Sequence, residues 1–388
     1  MVSSVYIHIP FCEKICHYCD FTKFFYDKKM ADDYLIALDK EMAAYIKEPR
    51  QKMKTIFVGG GTPTALNTNQ LKVLLTSISK YFEVESVEEY TFEANPGDLD
   101  EEKIKLLKAY GVNRISMGAQ VFDDELLEQL GRLHRVKDVY QNIDALKKHG
   151  ITNISIDLIY SLPTQTMAGF EKTVQEALAF DLPHYSSYSL QIEPKTVFYQ
   201  RYKKGKLKRQ PEETEADMYE HLISQMEKHG KNQYEISNFA IPGYESKHNL
   251  TYWNNDYYFG FGAGAHGYLP GERIVNLRPF PAYFKKANEN EFPVLHREPI
   301  GLKEQIEEEM FLGLRKRSGV SKISFTEKYN LGINDLYRDE LAQLKAKEWI
   351  EEVGDQVRLT QMGQLFGNEV FQEFLLEQEK FKRMLPAK

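Results

Sequence analysis

Cys12, Cys16 and Cys19 are the only cysteines in 388 residues, and all three fall within one stretch of eight. An odd number of neighbouring thiols builds no disulfide framework and points to a reducing compartment. Spacings of four and three let three thiolates wrap one side of a compact metal centre. Soft sulfur donors suit an iron–sulfur cubane, and three ligands leave one of its irons with an open position. The competing centre is zinc, completed by His8 or His17. A second candidate is Gly59-Gly60-Gly61-Thr62-Pro63-Thr64. Successive glycines let the backbone approach a ligand closely, and Pro63 stops a continuing strand. Alone this is a tight βα turn. Its place at the end of the strand that follows the cysteines makes it a ligand loop, because that rim is the functional face of βα barrels.

Both motifs need a scaffold. Strands are expected over Val2–Pro10, Lys54–Gly59, Glu89–Ala94, Val112–Gln120, Thr152–Ile159 and His184–Ile192, separated by segments of helical spacing such as Leu35/Leu38/Met42/Ile46 and Phe170/Val174/Ala177. Val139, Ile143 and Leu146 mark another helix, which stops at His149-Gly150. Strand–helix alternation of this kind reads as a parallel sheet with right-handed crossovers. Parity sets Ser155 and Asp157 opposite Ile154, Ile156 and Leu158; Thr91, Glu93 and Asn95 opposite Tyr90 and Phe92; Ser116, Gly118 and Gln120 opposite Ile115 and Met117; and Ser187, Ser189 and Gln191 opposite Tyr188 and Leu190. A closed eight-stranded barrel fills its interior with Val, Ile and Leu. Polar and small inner faces predict instead a wider, incomplete barrel around a solvated cavity.

The combination of CxxxCxYC after strand one and GGGTPT after strand two resembles the radical S-adenosylmethionine (radical SAM) superfamily. More closely, the chain resembles the branch holding oxygen-independent coproporphyrinogen III oxidase and the HemW-type heme chaperones. The likeness runs through Tyr6-Ile-His-Ile-Pro-Phe-Cys12, Phe92-Glu93-Ala94-Asn95-Pro96, Ser116-Met-Gly-Ala-Gln120, Leu130-Gly-Arg132-Leu-His134 and Ile156-Asp157-Leu158-Ile159, and on into the C-terminal part. The resemblance implies an α/β fold, an incomplete (β/α)6 radical SAM barrel, and a [4Fe-4S] cluster on Cys12, Cys16 and Cys19. The open iron would chelate the amino and carboxylate groups of SAM, and the reduced cluster would cleave it to a 5′-deoxyadenosyl radical. By family position Tyr6, Gly60, Gly61, Thr62, Glu93, Gln120, Arg132 and Asp157 would line the SAM site, and Tyr18 would lie near the adenine. Arg132 suits a carboxylate through its forked donors; Glu93, Gln120 and Asp157 can accept from ribose hydroxyls or an ammonium group.

His248-Asn249-Leu-Thr-Tyr252-Trp253 matches the HNxxYW motif of the heme-chaperone branch. Neutral imidazole is a good axial ligand for heme iron, and Tyr252 and Trp253 could pack on a porphyrin face. Oxidase-type members typically add a further cysteine two residues beyond the third, where this chain has Phe21, and carry an N-terminal arm that this sequence lacks before Cys12. Both departures favour a chaperone that binds heme and delivers it to acceptor hemoproteins, membrane-bound cytochromes among them, with a reductant for the cluster. Coproporphyrinogen oxidation by the deoxyadenosyl radical is the alternative.

The rest of the chain sets limits. Gly262-Ala-Gly264-Ala-His-Gly267 fits GxGxxG, but Tyr268-Leu-Pro-Gly271 follows it and cannot open a helix, so it reads as a close-packed loop rather than a dinucleotide fingerprint. A basic stretch within Tyr202–Glu213 is a surface crossover, and a helix follows over Asp217–Lys228. The organisation expected is a barrel over 1–235, an aromatic, glycine-rich extension over 236–300 carrying HNxxYW, and a winged-helix-like α+β module over 301–388. That module has helices over Leu336–Trp349 and Gln361–Leu376 around an Ile350–Leu359 hairpin. Leu302–Lys388 holds 14 Lys/Arg against 16 Asp/Glu, and the whole chain is at −7, so no nucleic-acid partner is expected. No apolar run of membrane-spanning length and no signal-peptide pattern appears, which predicts a cytoplasmic protein without a membrane span.

Overall fold

Alternation along the first strand decides its two faces. Val5, Ile7 and Ile9 are buried in the main core beneath the outer helices, whereas Ser4, Tyr6 and His8 turn the other way, into a lumen. The same division recurs along the sheet of the computed structural model, which describes residues 2–47 and 49–384. Residue 1 and Glu48 of the expected barrel, and 385–388 of the expected C-terminal module, lie outside the described residues. The strands β1 (Ser4–Ile9), β2 (Thr55–Gly60), β3 (Glu89–Ala94), β4 (Arg114–Gln120), β5 (Asn153–Tyr160) and β6 (His184–Ser189) pair in parallel, in chain order. Every expected strand is therefore present, with ends shifted by at most three residues.

Helices cover the outer face. The one at Thr68–Tyr81 starts because the Asn67 side chain accepts from the Gln70 amide while the Gln70 side chain accepts from the Asn67 amide. It then buries Leu71, Leu74, Leu75 and Ile78, each contributing about 1.5–3 kcal/mol. Lys28–Tyr45, Val136–Lys148 and Met167–Ala179 bury the periodic residues expected of them, save Ile46, which is buried just past the end of the first.

The sheet extends well past six strands. β7 (Asn232–Glu235) and β8 (Asn238–Ala240) lie beyond β6, while β9 (Tyr258–Phe261), β10 (His266–Leu269), β11 (Glu272–Asn276) and β12 (Val294–Pro299) lie beyond β1. The order is β12-β11-β10-β9-β1-β2-β3-β4-β5-β6-β8-β7; the outermost described strands do not pair, so the barrel stays open. The stretch 236–300 thus continues the barrel sheet, and its Phe239, Phe261, Phe280 and Tyr283 share the barrel core. A helix at Lys247–Trp253 plugs the end of the lumen where the parallel strands begin, bonded through Thr251 to Ser4, through His248 to Thr55 and through its first amides to Glu89.

On β6 the expected inner face is reversed. Ser155 pairs with His184 and Asp157 with Ser186, so His184, Ser186 and Tyr188 face the lumen. Tyr185 is fully buried on the helix side, and Ser189 donates to Glu215. Both faces of this strand mix aromatic and hydroxyl residues, so alternation alone carries no direction; packing of Tyr185 at Ala177 and Leu182 supplies it.

After the helix Leu302–Gly313, the strands β13 (Val320–Ser321), β14 (Ile350–Val353) and β15 (Gln356–Leu359) form a small sheet in the order β13-β15-β14. Their own core includes Ile306, Met310, Phe325, Leu341, Val357 and Phe374. The expected helix over Leu336–Trp349 is two pieces, Ile333–Leu336 and Arg338–Ala346, ended by left-handed Glu348 (φ 57°). That over Gln361–Leu376 breaks at Phe366, whose ring stacks on Trp349 at 4.9 Å.

Candidate functional site

The rim where the parallel strands end carries the chemistry. Cys12 closes a two-residue bridge after β1, and Cys16 and Cys19 lie in the following loop, all three unpaired. Burial pushes the Cys12 thiol up to about 11 and raises Cys19 as well, and Cys16 beside them raises both further. The Cys12 and Cys19 thiols therefore favour the protonated form until a metal displaces their protons. Of the two histidines that could complete a zinc site, His8 is engaged through both ring nitrogens and His17 through one. His8 lies 2.8 Å by Nε2 from the Thr22 carbonyl, to which only an N–H can donate, leaving Nδ1 to accept from the Tyr6 hydroxyl at 2.8 Å. His17 donates through Nδ1 to the Gln129 carbonyl at 2.7 Å, and its ring lies against Gly131. Among the described residues no three His, Cys, Asp or Glu donors are grouped to hold a metal ion. A mononuclear ion needs its ligands on one point, whereas a cubane spreads three thiolates over three irons, and the loop after β1 supplies three free thiols of that kind.

Opposite the thiols runs a chain of polar contacts. Thr62 Oγ1 donates to Cys12 Sγ at 3.7 Å, Asn95 Nδ2 donates to Thr62 Oγ1 at 3.1 Å, and Arg132 donates to Asn95 Oδ1 at 2.8 Å. Arg132 Nε is buried without a partner. The guanidinium lies 6.0 Å from the Tyr18 ring centroid, and although burial opposes its charge, Tyr18, Cys16 and Cys19 outweigh that and raise its pKa. Burial also raises Tyr18 and Tyr6. A forked cation with an unused N–H, beside three thiols, is a seat for a carboxylate.

The glycine loop makes room for these groups. Gly60 has φ 118°, and its amide donates to Glu93 Oε2 at 2.9 Å. A Cβ on Gly61 would come within 2.9 Å of the backbone at Phe11, so the loop and the cysteine strand approach more closely than any side chain permits. On β4, Gly118 leaves space for Gln120 Nε2 and the Arg132 guanidinium, and Gln120 itself takes φ 68°. Deeper in the lumen, Ser116 donates to Asp157 at 3.2 Å. Burial lifts Glu93 to about 7 and raises Asp157, against hydrogen bonds that pull both back. Tyr6, Tyr18, Gly60, Gly61, Thr62, Glu93, Gln120, Arg132 and Asp157 are therefore gathered at one rim and the lumen below it. Asn95, which ties Thr62 to Arg132, stands in the sequence only as one letter of a motif; its parity with Glu93 is the signal that it belongs here.

The HNxxYW segment lies elsewhere, at the base. His248 is buried; Nδ1 bonds Thr55 Oγ1 at 2.7 Å, Nε2 bonds the Tyr252 hydroxyl at 2.8 Å, and its ring stacks on Phe57. Both ring nitrogens are committed, and burial lowers its pKa to about 3. Asn249 follows the Ser246 cap, and its amide bonds Ser246 Oγ. Tyr252 and Trp253 line a cleft of about 450 Å³, with Arg315 over the Trp253 ring. In this arrangement His248 anchors the plug to β2 and offers no nitrogen to a metal. Glu89, which no motif marks, accepts from the Lys247 and His248 amides at 2.9 and 3.0 Å and from Ser246 Oγ at 3.4 Å; its shared parity with Thr91 and Glu93 is its only trace in the sequence.

Comparison with known proteins agrees with this architecture. Residues 6–177 match the Radical SAM superfamily and residues 300–366 the HemN C-terminal domain. The chain is 51% identical to "Heme chaperone HemW" of Bacillus subtilis, over 97% of this chain and 100% of that protein. It is 45% identical to the Lactococcus lactis protein of that name (98% and 99%) and 31% identical to that of Escherichia coli (96% and 98%). Its fold is similar to the solved coproporphyrinogen III oxidase (HemN) of Escherichia coli, a radical SAM enzyme, with a TM-score of 0.83 over 96% of this chain and 90% of that one, at 21% identity. A barrel, a plug and a C-terminal module that align together with these relatives along nearly their whole length leave one conclusion: the chain belongs to the HemW heme-chaperone family of the radical SAM superfamily.

Proposed function

We propose that the protein is a heme chaperone that carries a [4Fe-4S] cluster and SAM, binds heme and delivers it to acceptor hemoproteins in a reducing cytoplasm. The observation that carries this reading is the 51% likeness to a heme chaperone across 97% of the chain, which takes in the cysteine loop, the plug and the module together. Among the described residues no helix is long and apolar enough to cross a membrane, so a membrane-bound cytochrome would be met from its exposed side. Phe21, where oxidase-type members typically place a cysteine, is 64% exposed.

A [4Fe-4S] cluster with one unligated iron supplies an electron and an anchoring point for the amino and carboxylate groups of SAM. The protein's own residues do the rest. Cys12, Cys16 and Cys19 give up their protons to ligate iron. Arg132, held by Asn95, directs its forked donors at a carboxylate. Glu93 and Asp157 supply acceptors to hydroxyl or ammonium donors, and the glycine loop lets the ligand lie against backbone.

The test is anaerobic. The reconstituted protein should bind hemin and pass it to an apo-cytochrome of b type, followed by the acceptor's absorption. Turnover of coproporphyrinogen III with SAM and a reductant, without hemin transfer, would replace this reading by the oxidase.

A further inference from the structure

If His248 is committed to the plug, heme iron needs another ligand. The parallel register places Tyr258 beside Ser4 and Gly260 beside Tyr6, so the lumen-facing row of β1 continues onto β9. It passes by the Tyr258–Tyr268 and Tyr268–Arg273 pairs to β10 and β11, and His266 lies two residues from Tyr268 on the same face. In this floor Gly260 lets two strands close up: a Cβ there would come within 1.9 Å of the His266 carbonyl oxygen, so only glycine admits the backbone that carries His266. Over the floor stands the 450 Å³ cleft, with Tyr252, Trp253, Tyr258, Tyr268 and Phe311 around it and His266 in its lining. The helix Leu302–Gly313 closes one side, fastened by the two-pronged Arg273–Glu308 pair at 2.9 and 3.0 Å. A concave, aromatic surface with a few polar groups is the usual form of a site for a planar cofactor.

His266 differs from the other histidine near this cleft. It is exposed, and among the described residues its ring has no hydrogen-bond partner, whereas both nitrogens of His248 are taken. Partial burial, and after it the charges of Arg278, Arg273 and His296 around the ring, lower its pKa, and neutral imidazole is the form that coordinates iron. Arg278 is exposed and has no ion-pair partner among the described residues, a cation suited to a carboxylate side chain of the cargo.

Building on the chaperone reading, we propose that this cleft between the barrel extension and the C-terminal module seats the iron porphyrin, with His266 as the axial ligand and Tyr252 and Trp253 as walls. Part of the HNxxYW segment then touches the cargo through its last two aromatics, while its histidine holds the segment in place. The GxGxxG-like run acquires a purpose too: its glycines pack the β9–β10 turn and bring His266 to the cleft.

The full-length, cluster-loaded protein is titrated anaerobically with hemin and followed by absorption and low-temperature electron paramagnetic resonance. His266→Ala should weaken hemin binding at least tenfold and remove the imidazole-ligand signature, with far-UV circular dichroism and iron–sulfur content unchanged. His266→Cys should replace that signature with one of thiolate type. His296→Ala, outside the cleft lining, should leave both readouts as in the parent. A His266→Ala protein that matches the parent in affinity and signature overturns the assignment while the chaperone reading stands; so does loss of the signature in His248→Gln with its retention in His266→Ala. A parent protein that binds no hemin overturns both.

Discussion

The two ends of the barrel lumen are lined by similar residues and built for opposite purposes. At the base, Thr55, Glu89, His184 and His248 are matched donor to acceptor with Ser246, Tyr234, Ser155 and Tyr252. At the rim, three thiols, an arginine with a free Nε and a carboxylate lifted to about 7 face one another with few internal partners. Buried polar groups that satisfy each other hold a structure together; buried polar groups left wanting are waiting for something else. Arg114 stands between the two ends, fully buried, with Nε unpartnered and with Glu93 and Asp157 acting on it as counter-charges. It balances the lumen's carboxylates without closing their hydrogen bonds.

If that contrast is right, the ends should fail independently. The largest effect belongs to the rim: Cys16→Ala should abolish bound iron and sulfide, while the cluster-free protein unfolds in urea at the parent's midpoint. A shifted midpoint would mean that the thiols also brace the fold. Next is the base. Glu89→Ala removes an acceptor from three donors and should cost about 3 kcal/mol in urea unfolding, with the reconstituted cluster retained. Loss of iron in that variant would join what the comparison separates. The smallest effect is a matter of pH. Burial raises Glu93 above the ordinary carboxylate range, so its ionisation costs stability progressively as pH rises from about 4 towards 7. Only the carboxylate accepts without donating, so SAM affinity of the cluster-loaded protein should rise about tenfold between about pH 6 and pH 8. Glu93→Gln should flatten that profile, and an equally steep one in the variant would place the titrating group elsewhere.

The rim is easier to read from sequence than the base. Cysteine spacing and a run of glycines are local features whose chemistry shows in the residues themselves, and the period-2 rows on β3 and β5 put Glu93 and Asp157 on a common side by alternation alone, whereas Gln120 follows a register shift and takes a left-handed backbone. The base escapes because its logic is long-range. Nothing near His248 announces that Thr55, nearly two hundred residues earlier, takes its Nδ1, and nothing near Glu89 announces a helix start at Ser246. The reversed β6 has the same origin, since serine and tyrosine on both faces give alternation no sign until Tyr185 finds its helix. His266 is hidden inside a GxGxxG run, a pattern associated with nucleotides, and only the strand pairing of β10 shows that its imidazole borders an aromatic cleft.

The plug also bears on how the chain folds. β1 is made long before its second neighbour: β9 and the helix that fills the barrel base come some 240 residues later. Until then β1 has one open edge, and the lumen lies open at the end opposite the cysteines. Contacts of such sequence separation are slow to form, and an open strand edge invites pairing with other chains. A nascent chain halted before residue 247 should therefore expose both hazards, and completion of the base should come late in making the protein.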